Sequence, residues 1–388
     1  METKRILLVT NYFPPEKGAA SNRLWSLAEG LSKKGYDVQV VCPLPNYPQG
    51  VIFSDFKGSF YKKRIANEIT IHRLWLWPSN SPNKFFRLLS MLSFSLSLSL
   101  FFILKTLPKK IVVQYSPVFV GFTAVFYGWL FRKRIILNVS DLWPLAGLEM
   151  GLLKKGFYYS LLEKMERFCY KKADLIIGQS EEILEHIKKL VSKKDTFLYR
   201  NLPNFEPIFP KEKVSTAPIR IVYAGLLGVA QGVFKICNQI KFPSTVELHI
   251  YGAGPEASAI KSIENLQIKY HGEVSREELH QVLSTYDVAF IPLVNRIYGS
   301  VPSKIFEYTR LGVPVLYYAG GEGGDLVKMH QLGWTIPVKN EKELQKFIDA
   351  FSEIKLTEYP KESVQQKAIE AFDFDKQFDL FIRKISAI

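Results

Sequence analysis

The sequence is poor in the residues that staple, chelate or cleave. It has three cysteines, Cys42, Cys169 and Cys237, scattered and odd in number, with no Cys-x-x-Cys pair. That argues against a disulfide framework and against a structural zinc site. Six histidines are present, and none is paired at metal-ligand spacing. There is no Walker A motif, no clean dinucleotide fingerprint and no Gly-x-Ser-x-Gly elbow. No internal repeat and no Ser/Gly linker run is found, which excludes a solenoid. The opening METKRILLVT is a charged stub leading into an apolar run that NYFPP ends. It predicts a strand rather than a secretory leader, and a reducing cytoplasm is the expected compartment.

What is present suits packed cores. Hydrophobic residues make up 47% and aromatics 14% of 388 residues, the length of about two or three domains. The net charge of +14 is unevenly spread: residues 1–200 hold 30 Lys+Arg and 15 Asp+Glu, residues 201–388 hold 21 and 22. One half should therefore face something anionic, for which nucleic acid, anionic lipid and phosphorylated substrates all qualify. No nucleic-acid-reading motif accompanies the charge, so nucleic acid is not expected. From Leu88 to Leu104 run 17 residues without a charge, five of them serine, with Lys84, Arg87, Lys105, Lys109 and Lys110 around them. A half-buried helix between strands, a helix in a membrane interface and a spanning helix all fit that segment.

Strand-like runs recur with helices between them. RILLVT (5–10), a loop with Gly18, a helix that Ser21 can cap and that Gly35 stops, and YDVQVVC (36–42) open a parallel βαβ unit. Further strands are expected at 69–74, 111–115, 134–139 and 173–180. Residues 200–218, rich in Pro and polar side chains, read as a linker. The pattern then restarts, with strands at 219–225, 246–252, 268–274, 287–293 and 313–319. The fold class predicted is α/β, with two doubly wound Rossmann-like domains facing across a cleft. Their bounds are 1–200 and 201–370, followed by a C-terminal helix in 371–388 that crosses back to the first domain. Ligands of such sheets sit beyond the carboxyl ends of strands. Gly18, Gly225, Gly228, Gly232, Gly252, Gly254, Gly320, Gly321, Gly323 and Gly324 all follow strands. Glycine there lets backbone N–H groups approach a phosphate, although such turns need glycine sterically too.

The segments LLVTNYFPPEKGAASNRLW, VSDLWP, IVYAGLLGVAQG, IYGAGPE and above all VPSKIFEYTRLGVPVL resemble glycosyltransferase family 4, over essentially the whole chain. That family has the GT-B fold, retains anomeric configuration and uses sugar nucleotides. The DLWP and PSKIFEY pairing is similar to bacterial enzymes that transfer N-acetylated sugars in surface polysaccharide (O-antigen or capsule) assembly. The resemblance implies that Glu307, the second glutamate of a Glu-x7-Glu motif, holds the donor ribose. It also implies that Lys304, after Ser303, meets the diphosphate of the donor, for which the resemblance favours a UDP-linked sugar. A carboxylate accepts from two hydroxyls, and an ammonium neutralises charge on the leaving diphosphate. A plain surface ion pair, three residues apart on one helix face, is the alternative.

The chain departs from the family pattern in three places. Gly299 stands where the first glutamate belongs, and Leu226 and Gln231 where an arginine and a lysine belong. Glu322, Asp325 or Arg296 could compensate. Gly18, Gly225, Gly228, Gln231, Gly252, Gly254, Ser303 and Gly323 complete the expected donor set with Lys304 and Glu307.

Asp141, at the end of a strand, could orient an acceptor hydroxyl or simply cap a helix. Asn22 and Arg23, after the first glycine loop, could reach the acceptor or the diphosphate or simply lie on the helix surface, and Trp143 is a further expected acceptor contact. Asp373-x-Asp375 matches a metal signature of a different transferase fold, and here it reads as a helix cap. No metal and no cofactor beyond the sugar nucleotide is expected. The expected acceptor is polyprenyl-diphosphate-linked or a saccharide, met at an anionic membrane surface on the inner face of the cytoplasmic membrane. A sugar-nucleotide epimerase and a non-catalytic nucleotide-sugar-binding subunit are the competing readings.

Overall fold

The computed structural model describes residues 4–81, 83–209, 218–338, 340–352 and 356–388. It contains two compact units, Met1–Asn201 together with Gln377–Ile388, and Leu202–Lys376. Part of the 200–218 segment read as a linker, residues 210–217, lies outside the described residues.

The first unit is built on strands β1 (Lys4–Val9), β2 (Tyr36–Pro43), β3 (Tyr61–Ala66), β4 (Ile69–Leu74), β5 (Lys110–Gln114), β6 (Arg134–Val139), β7 (Leu175–Gly178) and β8 (Thr196–Leu198). They form one sheet in the order β3-β4-β2-β1-β5-β6-β7-β8. All neighbours are parallel except β3 and β4. Its helices are α1 (Ala19–Lys33), α2 (Lys84–Leu104), α3 (Val118–Leu130), α4 (Leu145–Glu149), α5 (Phe157–Lys172) and α6 (Glu181–Leu190). The central β1 is buried from Ile6 to Val9, as a parallel strand covered on both faces must be.

The second unit repeats the theme with a six-stranded parallel sheet. Its strands are β9 (Ile219–Ala224), β10 (Val246–Tyr251), β11 (Ile268–Gly272), β12 (Val288–Pro292), β13 (Val315–Tyr318) and β14 (Gly333–Ile336), in the order β11-β10-β9-β12-β13-β14. The helices are α7 (Val233–Gln239), α8 (Ala257–Lys261), α9 (Arg276–Leu283), α10 (Lys304–Arg310), α11 (Glu322–Met329), α12 (Glu341–Asp349) and α13 (Lys361–Ala371). In each sheet the first strand, β1 or β9, sits where the strand order reverses. That reversal leaves a crevice at the carboxyl ends.

The last helix, α14 (Phe374–Ser386), is part of the first unit from Gln377 onward. Phe378, Phe381 and Ile385 are buried there, and the Phe381 ring lies 5.1 Å from that of Tyr199. Burying each such side chain stabilises by about 1.5–3 kcal/mol before entropy is counted. The Gln377 side chain exchanges two hydrogen bonds with the Arg200 backbone, at 2.9 and 3.0 Å. Asp373 accepts from the Lys376 N–H at 3.0 Å, so it caps α14.

Three details differ from the expectations. Helix α1 begins at Ala19, behind Gly18, so Ser21 lies buried inside it and is not its cap. The edge strand β3 was hidden because YKKRIA is polar and largely exposed; β8 and β14, of three and four residues, are too short for a periodic signal. The C-terminal helix is present as α14, separated from α13 by Phe372 and Asp373, but the boundary between units falls inside it at Gln377 rather than at 371. The segment around 88–104 agrees with the half-buried-helix reading: it is one helix of 21 residues, α2, buried on one side only.

Candidate active site

Lys304 and Glu307 stand on the first turn of α10, and their side chains diverge rather than pair. The Lys304 ammonium turns back over the β9 end. It lies 4.5 Å from the Tyr223 ring centroid and 3.4 Å from the Tyr223 hydroxyl. It also fills the space a Cβ on Gly225 would need. Only glycine suits position 225 on two counts, since its φ is +147°. Lys304 as a residue is half-buried, but its ammonium is withdrawn from water, and burial pushes its pKa down to about 8 against the opposing pull of Glu307.

Glu307 is held from the other side. Its Oε1 lies 2.7 Å from His280 Nε2 and 3.4 Å from Arg276 Nη2. Burial works to raise this carboxyl. The His280 hydrogen bond and the charge of Arg276 outweigh it, and Glu307 stays below its ordinary value. His280 is itself fixed by the Phe205 ring, with centroids 4.3 Å apart. The surface ion pair is therefore not what α10 displays. It presents a withdrawn cation and an ionised carboxylate with separate supports.

The glycine loops assemble beside Lys304. The Gly225 and Leu227 N–H groups donate to Tyr251 and Ala253 carbonyls at 3.0 and 2.9 Å, so the loops after β9 and β10 lie backbone against backbone. A Cβ on Gly252 would strike the Gly225 carbonyl, and one on Gly254 the Leu227 carbonyl. These two glycines thus answer first to packing. Gly228 faces the Gln231 side chain, whose Oε1 is buried without a hydrogen-bond partner. Leu226, where the family has an arginine, is exposed. The Arg296 guanidinium lies against Gly321, and Tyr317 against Gly323, at the start of α11. Ser303 precedes α10 without a side-chain capping bond. Gly299 has φ +83°, a conformation that a glutamate would adopt only under strain. That is a steric reason for the missing carboxylate.

A second constellation lies in the first unit at the carboxyl ends of its strands. Arg23 on α1 meets Gln179 after β7, with Nε 3.2 Å from the amide oxygen when that amide is oriented to accept. Burial pushes the Arg23 pKa down to about 10, while Asp141 and Tyr199 pull it up. Asp141, two residues beyond β6, is open to solvent by area yet densely surrounded. Burial raises its carboxyl, and Arg23 and the Ser140 hydroxyl oppose that rise. It does not cap α4, which begins behind Pro144. Ser140 accepts from Gln114 at 2.7 Å, and Gln114 accepts from Asn138 at 2.9 Å. Asn22 is exposed on α1, and the Trp143 ring packs on Gly147. Gly18 is exposed at the start of α1, near Tyr47.

Glu16 braces this unit. It is 3% exposed and accepts from the backbone N–H groups of Asn46 and Tyr47 at 2.8 and 2.9 Å. Burial raises its carboxyl against those bonds. Arg73 donates to the Pro43 carbonyl at the end of β2 and to the Pro14 carbonyl in the loop that carries Glu16.

His280, Arg276, Phe205, Gln179, Tyr199 and Glu16 carry no motif of their own. Within the second unit His280, Arg276 and Phe205 gather about Glu307, and within the first Gln179 and Tyr199 gather about Arg23; in each unit only the fold brings them together. Among the described residues no cluster of His, Cys, Asp and Glu could hold a metal ion.

Two parallel α/β units, each with polar side chains gathered at strand carboxyl ends, describe a two-domain transferase. A Glycosyl transferase 4-like domain matches residues 18–197, and a Glycosyl transferases group 1 domain matches residues 218–354. The chain belongs to the family 4 glycosyltransferases of GT-B fold. A curated relative, WcaL of Escherichia coli (strain K12), provisionally named a colanic acid biosynthesis glycosyltransferase, is 23% identical over 188 residues. That match covers 45% of this chain and 46% of WcaL, about half the length of each. Sucrose-phosphate synthase from Thermosynechococcus elongatus superposes with TM-score 0.75 at 14% identity, over 99% of this chain and 100% of that one. Anabaena HepE in complex with UDP gives 0.70 at 13% identity, over 99% and 100%. The pneumococcal O-GlcNAc transferase GtfA in complex with UDP and GlcNAc gives 0.63 at 10% identity, over 100% and 99%. At such identities the likeness is one of fold.

Proposed function

We propose that this protein transfers a sugar, an N-acetylated hexose or deoxyhexose, with retention of anomeric configuration from a UDP-linked donor. The acceptor is polyprenyl-diphosphate-linked or a saccharide, in the assembly of bacterial surface polysaccharide. The work takes place on the inner face of the cytoplasmic membrane, where lipid-held acceptors are found. The observation that carries this reading is the withdrawn ammonium of Lys304 over Gly225, with ionised Glu307 one turn on. An ammonium kept from water gains most when a diphosphate arrives, and more still as charge builds on it during departure. Glu307 accepts from the ribose hydroxyls, and the glycine loops and Arg296 line the phosphates. Asp141 orients the acceptor hydroxyl, whose oxygen bonds to the anomeric carbon as the bond to the diphosphate breaks, its proton passing to the departing diphosphate oxygen. Lys304 meets the charge, so no metal is needed. UDP bound to two of the fold's relatives favours that base.

The test is incubation of the protein with UDP-N-acetylglucosamine and related donors, with and without a prenyl-diphosphate acceptor and with EDTA. Acceptor-dependent, EDTA-resistant transfer with retention is expected, lost in Lys304→Ala and Glu307→Ala and reduced in Asp141→Asn. Isomerised donor without acceptor would establish an epimerase instead. Donor binding without any turnover would establish a binding subunit, a reading that Gly299 motivates.

A further inference from the structure

Helix α2 is apolar on both faces, and among the described residues only one face is covered. Phe94, Leu98 and Phe102 are at most 1% exposed and pack toward β4 and α3. On the opposite side Phe85, Leu89, Leu92, Leu96, Leu100 and Ile103 are 36 to 66% exposed. Their spacing of four, three, four, four and three makes one continuous stripe along the helix. The serines leave the stripe little polarity. Ser93 and Ser99 donate back to the carbonyls of Ser90 and Ser95, both at 2.8 Å. Trp77, half-exposed, is tied beside the stripe by its N–H to the Ser93 hydroxyl at 2.8 Å.

The stretch of chain that carries this face has charge of one sign. Between Glu68 and Asp141 the chain holds no acidic residue and nine basic ones. Lys105, just past the end of α2, lies 5.9 Å from the Tyr61 ring, and the exposed Lys63 stands on the same face of β3 as Tyr61. A protein partner has no need of such uniformity. An anionic bilayer does, because phosphates attract the basic rim while acyl chains take up the apolar stripe.

By length and composition alone, Phe85–Leu104 could cross a membrane. Its inner face is already committed to β4 and α3, so crossing would tear α2 from its own sheet.

We propose that the outward face of α2 is a docking surface for an anionic phospholipid bilayer. The helix lies in the plane of the headgroups, with the Phe85-to-Ile103 stripe among the acyl chains and Lys105 and Lys63 on phosphates. This gives a physical basis to the membrane location of the proposed transferase, but it is read by binding without turnover. The two readings can therefore fail separately.

The experiment is flotation of the full chain with phosphatidylcholine vesicles and with vesicles containing phosphatidylglycerol. Binding is expected only to the second, weakened by salt, and reduced roughly tenfold or more in Leu96→Glu/Leu100→Glu and in Lys105→Glu. Circular dichroism and UDP binding, unchanged in these variants, keep unfolding out of the result. Failure of the wild type to float with phosphatidylglycerol vesicles would overturn the proposal. So would flotation of the double variant at wild-type level, or a wild-type dimer that Leu96→Glu dissociates while no vesicle binds. Retention on vesicles through an alkaline wash would overturn the in-plane placement in favour of a span.

Discussion

The ammonium of Lys304 occupies the volume in which Gly225 would carry a Cβ. Two residues that are 79 positions apart in the chain are thus mutually exclusive in size. Gly225→Ala should push Lys304 off the strand end and add strain at φ +147°. We expect a folded protein whose affinity for UDP falls by about tenfold or more, measured by calorimetry. An unchanged affinity would separate Lys304 from the diphosphate.

The depressed pKa of Lys304 has two readouts. Below about 8 the ammonium is charged, so donor affinity should fall as pH rises through that value. The stability effect has the opposite slope. Between about 8 and 10.5 the unfolded chain binds the proton that the folded chain has released, so stability rises with pH across this window. At about 1.36 kcal/mol per unit, holding the charge at neutral pH costs about 3 kcal/mol as an upper bound. Lys304→Met should accordingly be more stable at pH 7, flatter in its pH dependence of unfolding, and inactive. A less stable variant would contradict this.

His280 is a positioning residue, since it reaches Glu307 rather than substrate. In His280→Ala the carboxylate loses its shorter support. KM for the UDP-sugar should rise about tenfold with little change in kcat. A donor lacking the ribose 2′-hydroxyl should show much less of this effect. Equal losses for both donors would mean that His280 serves only the fold.

Glu16 gives a stability test in the first unit. Glu16→Ala would leave two well-made backbone donors, on Asn46 and Tyr47, without their acceptor in a buried place. The expected loss is roughly 2–4 kcal/mol, seen as a lower denaturant midpoint with unchanged slope. A loss below about 0.5 kcal/mol would mean that water replaces the carboxylate without difficulty.

The parallel strands were legible because burial on both faces makes them continuous apolar runs, as in RILLVT. The polar edge strand β3 and the short β14 lack that signature. Lys304 and Glu307 were legible because PSKIFEY keeps both on one helical turn. Their supports were not, since Tyr223, His280 and Phe205 reach them from β9, α9 and a loop. Sequence spacing also paired Lys304 with Glu307, whereas each side chain takes a nearer partner of its own. Asp141 could be placed at a strand end from RIILNV alone. Its neighbour Arg23 belongs to α1, and Ser21 two residues earlier misled the placement of that helix's start.

The hydrogen bonds between Gln377 and Arg200 have an architectural consequence. The chain leaves the first unit after Asn201 and re-enters it at Gln377, and these two points are tied together. Topologically, residues 202–376 are a guest inserted into a host at a single doorway. A cut near residue 370 would therefore yield no clean pair of halves, because the host would lose Phe378, Phe381 and Ile385. Excising the guest and bridging 201 to 377 with a few residues would spare both the host's core and its Arg23–Asp141 group.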